Sequence, residues 1–127
     1  MKRGLFVLAH GSKAKEADDI LKEIIAMLEE RNKEEFPLLG FGSLQISKPS
    51  FHEGIDELVN KGAEEIVIVP MFLFQGNHIK YDIPEELDQV KEKYPAIKFI
   101  MAKHIGADRR VAEIVKERGK EALALTF

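Results

Sequence analysis

Two unbroken apolar runs constrain the fold of this chain more than any other feature. Leu5-Phe6-Val7-Leu8-Ala9 shows no polar alternation, and neither does the longer run from Ile66 to Phe74. A strand with one wet face alternates apolar with polar residues, so these runs predict strands covered on both faces. The rest of the chain supplies the cover. Ala17, Ile20, Leu21, Ile24, Ile25 and Leu28 recur at helical spacing. Ser50-Phe51-His52-Glu53 is a capping box that opens a second helix with Ile55, Leu58 and Val59 on its apolar face. A third helix is expected from Asp82-Ile83-Pro84-Glu85, since proline is tolerated in a first turn. A fourth is expected near Asp108, with Val111, Ile114 and Val115. Ser12 is the expected N-cap of the first.

Strands are therefore expected near residues 4–9, 38–46, 66–73 and 98–102, each followed by a helix. This alternation predicts an α/β fold, a four-stranded parallel sheet with helices on both faces. The two most apolar strands belong at the centre and the glycine-containing second strand at an edge, which gives the order 2-1-3-4. That is a flavodoxin-like winding. It reverses direction between strands one and three, and ligands bind beyond the carboxyl ends of strands at such a switch point.

Each of the two runs ends in a histidine. His10 follows the first, in His10-Gly11-Ser12, and His78 the second, in Gln75-Gly76-Asn77-His78. The topology brings both to the switch point, where imidazoles suit metal coordination or proton transfer near neutral pH. Each also has a plainer reading, with His10 bonded only to backbone and Ser12 only a cap. Asp82 is explained by capping alone, and its alternative role is to orient His78. Lys13, Lys15 and Lys80 lie near the same edge, either as solvated surface groups or as receivers of substrate carboxylates. Among Met71, Phe72, Leu73 and Phe74, most should pack in the core and one or two should line a pocket for a flat apolar ligand. His104 ends the outermost strand, farther from the switch point, and His52 is expected at the surface.

The chain has 127 residues, which predicts one domain over 1–127. Its net charge of −3 gives no general attraction to nucleic acid or anionic membrane. No stretch approaches the ~20 apolar residues of a membrane span, and the amino-terminal apolar run is too short for a signal peptide. The absence of cysteine removes thiolate metal sites and agrees with a cytoplasmic protein. Any metal must rest on histidine, carboxylate or water. There is no Gly-x-Gly-x-x-Gly, no Walker-type Gly-Lys-Ser/Thr and no Gly-x-Ser-x-Gly, so nucleotide binding and a serine nucleophile lack their usual loops. Ala9-His10-Gly11 also lacks the preceding arginine typical of histidine phosphatases.

Leu8-Ala9-His10-Gly11-Ser12, followed by Gly76-Asn77-His78-Ile79-Lys80-Tyr81-Asp82-Ile83-Pro84, resembles the CbiX-type sirohydrochlorin chelatases. Leu44-Gln45-Ile46-Ser47-Lys48-Pro49-Ser50 resembles the family's strand-two ending, and Ile105-Gly106-Ala107-Asp108 its last helix entry. The resemblance covers nearly the whole chain and is to the short, single-domain form. It implies ATP-independent insertion of a divalent metal into sirohydrochlorin by a homodimer. Cobalt, the expected metal, leads toward cobalamin, iron toward sirohaem and nickel toward the methanogen tetrapyrrole. It implies metal-binding and catalytic positions for His10 and His78. Around them Ser12, Lys13, Gln45, Gly76, Asn77 and Lys80 are expected to contact substrate, with Asp82 behind His78. Many members place glutamate where this chain has Gln45, which keeps hydrogen-bonding capacity but cannot act as a carboxylate base. Two other readings stand beside this one. One is a non-catalytic metal or tetrapyrrole carrier, and the other a phosphate-handling enzyme using the amino end of the first helix.

Overall fold

The computed structural model describes residues 2–31 and 34–125, and within them not the side chains of Asn77, His78 and Ile79. The elements run β1 (Arg3–Ala9), α1 (Lys15–Arg31), β2 (Leu38–Ser43), α2 (Phe51–Asn60), β3 (Glu65–Pro70), α3 (Asn77–Lys93), β4 (Lys98–Met101) and α4 (Arg109–Ala124). The four strands form one sheet in the order β2-β1-β3-β4, every pair parallel. This is the expected architecture.

Strand β1 is buried on both sides, as its unbroken apolar run requires. Phe6 and Leu8 face a core with Ile66 and Ile68 of β3, Phe51, Ile55 and Leu58 of α2, and Ile83 and Val90 of α3. Phe6 meets Phe51 edge-on, with ring centroids 5.5 Å apart. Val7, on the opposite face, packs with Leu21, Ile25 and Leu28 of α1. Helices α2 and α3 thus cover one face and α1 the other. Helix α4 buries no residue.

The Ser50–Glu53 capping box forms as expected, with each residue's side chain bonded to the other's backbone N–H. Two helix starts differ from expectation. Helix α1 begins at Lys15, so Ser12 is not its cap, and the Ser12 hydroxyl accepts instead from the Ala14 N–H at 3.1 Å. Helix α3 begins at Asn77 rather than Asp82, which leaves Asp82 and Pro84 inside it. Asp82 therefore does not cap the helix. Strands β2 and β3 also stop earlier than expected, at Ser43 and Pro70, because the chain beyond each turns into the loops that carry the site.

Candidate functional site

His10 stands immediately beyond the end of β1, exposed, in a turn stitched to the segment after β2. Four hydrogen bonds make the seam. Leu44 N–H donates to the Ala9 carbonyl at 3.0 Å, and Gln45 N–H to the His10 carbonyl at 3.2 Å. Ser12 N–H donates to Ser47 Oγ at 3.0 Å, while the Ser47 hydroxyl donates back to the Ser12 carbonyl at 2.8 Å. Gly11 makes the seam possible. Its φ is 100°, and a Cβ there would lie 1.7 Å from the Gln45 carbonyl oxygen, so no side chain fits. The seam also occupies amides at this turn. With Ser12 N–H bonded to Ser47 and Ala14 N–H to Ser12, two donors that a phosphate would use are already engaged.

Beyond Gln45 the chain reverses sharply. Ser47 N–H reaches back to the Gln45 carbonyl at 2.7 Å, closing a three-residue γ-turn with Ile46 at its centre and φ 65°. Ser47 itself is only 7% exposed. Sequence reading passed over Ser47, because its partner Ser12 is distant in the chain and only the parallel pairing of β1 with β2 brings the two together.

The His10 ring packs edge-on against Phe72, with centroids 6.2 Å apart. Its Nδ1 lies 3.3 Å from the Gly11 carbonyl oxygen and 3.4 Å from the Gln45 amide nitrogen. No hydrogen bond to the other ring nitrogen, Nε2, is found among the described residues. Of the expected substrate contacts, Gln45 thus sits beside His10, and Ser12 belongs to the turn that holds it. Lys13 is exposed at the same turn.

The second strand end departs more from expectation. After Pro70, Met71 N–H still donates to the Leu8 carbonyl at 2.8 Å, and then the chain leaves the sheet. Gly76 occupies the N-cap position of α3 with extended backbone and no side-chain cap. His78 therefore lies in the first turn of α3, the helix that follows β3, the strand next to β1 in the sheet. The meeting of its ring with His10 falls outside the described residues, as does any contact of the Asn77 side chain. Lys80 and Asp82 are exposed.

The loop after β4 is tied to the loop after β3. Ile105 N–H donates to the Pro70 carbonyl at 3.2 Å and Gly106 N–H to the Phe72 carbonyl at 3.0 Å. His104 is half-buried, its ring resting against Gly106. Asp108 caps α4, and side-chain and backbone hydrogen bonds from Arg110 hold its carboxyl far below the usual carboxylate range. His52 is not a simple surface residue: its Nε2 lies 2.5 Å from a Glu86 oxygen, joining α2 to α3.

The rim is unusually apolar for exposed loops. Phe74 is 81% exposed, Ile46 57%, and Leu73 and Tyr81 are exposed with them. Among the described residues no three histidine or carboxylate side chains converge to hold a metal ion. Among the described residues no helix is long and apolar enough to cross a membrane.

An open parallel sheet with an imidazole at its switch point defines an α/β protein that works on a ligand beyond its strand ends. The chain belongs to the CbiX family, whose model matches residues 4–122. It is 38% identical over 122 residues to a sirohydrochlorin cobaltochelatase of Sulfolobus acidocaldarius, covering 96% of this chain and 94% of that one. It is 33% identical to a sirohydrochlorin ferrochelatase of Priestia megaterium, covering 90% of this chain but 42% of the longer relative. Among solved structures, the sirohydrochlorin chelatase SirB from Bacillus subtilis subspecies spizizenii, in complex with cobalt, superposes with a TM-score of 0.86 at 30% identity. That match covers 95% of this chain and 51% of SirB, so this chain spans about half the length of the longer relatives.

Proposed function

We propose that this chain is an ATP-independent sirohydrochlorin chelatase, with residues 1–127 acting as one chelatase domain in the cytoplasm. The observation that carries the reading is the placement of His10 and of the α3 first turn bearing His78 beyond two adjacent central strands. The family and the cobaltochelatase relative of similar length support it.

Metallation exchanges two pyrrolic protons for one M²⁺. The metal must arrive held loosely enough to leave, since a closed site would trap it. His10, with the sparse ligand set around it, suits that task, and His78 is its partner as ligand and proton acceptor. The two protons pass from the ring nitrogens to imidazole and then to water, and the metal goes to the four ring nitrogens. The exposed Phe74, Leu73, Tyr81 and Ile46 offer apolar surface to the macrocycle face. The ring carboxylates meet Lys13, Lys80 and the loop amides near Gly76 and Asn77, while Ser12, its N–H already bonded to Ser47, serves by holding the His10 turn. Cobalt is the metal this reading favours, supported by the similar-length relative's named activity. Asp82, four residues further along α3, is the group this reading assigns to orienting His78.

Anaerobic spectral assays with sirohydrochlorin and Co²⁺ test the proposal. Loss of a proton acceptor and ligand should slow His10→Ala and His78→Ala by roughly 100-fold or more. Wild-type rates in both variants would refute it.

Gln45 keeps one other reading open. Without a carboxylate at this position the protein has less means of drawing protons from the ring, which suits a metal or tetrapyrrole carrier. Many turnovers of free metallated product per chain favour the chelatase, and a single stoichiometric equivalent favours the carrier.

A single four-stranded sheet edge is shallow for so large a ring. A homodimer, with the site near the interface, encloses it. The apolar residues that α4 leaves uncovered support this assembly.

A further inference from the structure

We propose that Gln45 is a positioning residue that holds His10 in its Nδ1–H tautomer, so that Nε2 presents a bare lone pair at the site. What Nε2 then meets rests on the chelatase reading; the tautomer does not.

Two contacts of Nδ1 bear on where the ring proton sits. The Gly11 carbonyl oxygen, 3.3 Å from Nδ1, can only accept, so it requires a proton on Nδ1. The side-chain amide of Gln45 lies 3.4 Å from the same nitrogen and offers either a donor or an acceptor. The amide nitrogen faces Nδ1 in the structure. That orientation would need a bare Nδ1, whose lone pair would then point at the lone pairs of the Gly11 oxygen. A half-turn of the amide plane exchanges two groups of nearly equal size and brings Oε1 to Nδ1. The single Nδ1–H then serves both oxygens, and no acceptor faces another. A neutral imidazole carries one ring proton, so Nε2 is left bare.

The backbone makes this more than a chance approach. Gln45 N–H is bonded to the His10 carbonyl, and the Gln45 carbonyl is held by Ser47 N–H in the γ-turn. Both ends of Gln45 are fixed relative to His10, so its side chain starts from a set position. Left alone, imidazole prefers its proton on Nε2, the nitrogen that must be bare to bind a metal or accept a proton. An acceptor at Nδ1 reverses that preference, as acceptors behind metal-binding histidines generally do. Glutamine does so without adding negative charge and without offering the metal a carboxylate.

The test is two-bond ¹⁵N–¹H correlation of the histidine rings in the metal-free protein, above the range where imidazole protonates. The expected result is Nδ1 protonated and Nε2 bare at His10. Gln45→Leu should move His10 toward the Nε2–H form and weaken binding of Co²⁺ alone by about tenfold. Gln45→Glu, which restores an acceptor, should restore the Nδ1–H pattern. Unchanged His52 and His104 signals establish that each variant is folded. A wild-type His10 resting as Nε2–H overturns the proposal, and so does a folded Gln45→Leu with an unchanged tautomer. Neither readout involves sirohydrochlorin, so failure of the chelatase reading would appear separately, as absent turnover with the tautomer intact.

Discussion

Ile46 is the one non-glycine residue with positive φ among the described residues. A β-branched side chain in that region sits against the following carbonyl, at a cost of roughly 1–2 kcal/mol. Its side chain is mostly exposed, so core packing does not compensate. The compensation is local: the Ser47 N–H bond to the Gln45 carbonyl and the reciprocal Ser12–Ser47 pair. Strain of this kind concentrates at functional sites because the geometry it enforces is useful there. Here it sets Gln45 beside His10. Ile46→Gly should therefore raise stability by about 1 kcal/mol while slowing metallation several-fold, since the freed turn no longer fixes Gln45. Thermal unfolding and the anaerobic assay on the same preparation check both halves. A lower melting temperature would mean that the isoleucine side chain, not the turn, stabilises the segment.

Helix α2 connects the site's seam to the rest of the fold, and two contacts set its position. Gly54 lets it lie directly on β2, for a Cβ there would stand 2.2 Å from the Phe41 carbonyl oxygen. Gly54→Ala should push the helix outward, loosen Ile55 and Leu58, and cost about 2–3 kcal/mol in urea unfolding despite the better helix propensity of alanine. The second contact is a clasp to α3, where Asp56 accepts from the Tyr94 hydroxyl and from Lys93 Nζ, the latter at 3.0 Å. The Tyr94 hydrogen bond, above all, holds the Asp56 carboxyl below its ordinary value, and the same bond raises the Tyr94 phenol. A lowered carboxylate contributes stability above its unfolded pKa, about 4, and loses it as pH falls through the folded value. A raised phenol contributes below about 10 and loses it as pH rises further. Tyr94→Phe should thus cost about 0.5–1 kcal/mol on a plateau between those limits, with the difference from wild type closing at both ends. The order of elements was legible because buried parallel strands leave unbroken apolar runs, and β1 and β3 have them. The start of α3 was not. Asp82-Ile83-Pro84 has the composition of a helix beginning, yet more than a turn precedes it, because Pro84 forgoes only its own N–H bond and Ile83 still reaches the core. The site was legible as a place, through His10, but not as a structure. The Ser12–Ser47 exchange and the γ-turn depend on residues that meet only after β1 pairs with β2.

At the scale of the whole molecule the unsatisfied element is α4. A helix of its length is marginal in water unless an apolar face is buried, and α4 buries none. Val115 is 68% exposed and Ile114 52%, with Leu123 and Leu125 exposed farther along. Val111, Ile114, Val115, Ala122 and Leu125 follow helical spacing, as one packing stripe does. The longer relatives, of which this chain covers about half, extend well beyond the matched part, whereas the Sulfolobus acidocaldarius relative has nearly this chain's length. In the homodimer reading a second copy covers the stripe of α4. Ile114→Glu with Val115→Glu buries charge in that contact, and the sedimentation mass should drop from twice to once the 14.4 kDa of the chain. The two consequences for function should separate. The proposed Co²⁺ binding at His10 uses one sheet edge and should survive in the monomer. In the same reading enclosure of the macrocycle needs two chains, so KM for sirohydrochlorin should rise at least tenfold. A wild-type chain that sediments as a monomer at the concentrations where it turns over at full rate would leave α4 without this partner and the open edge sufficient by itself.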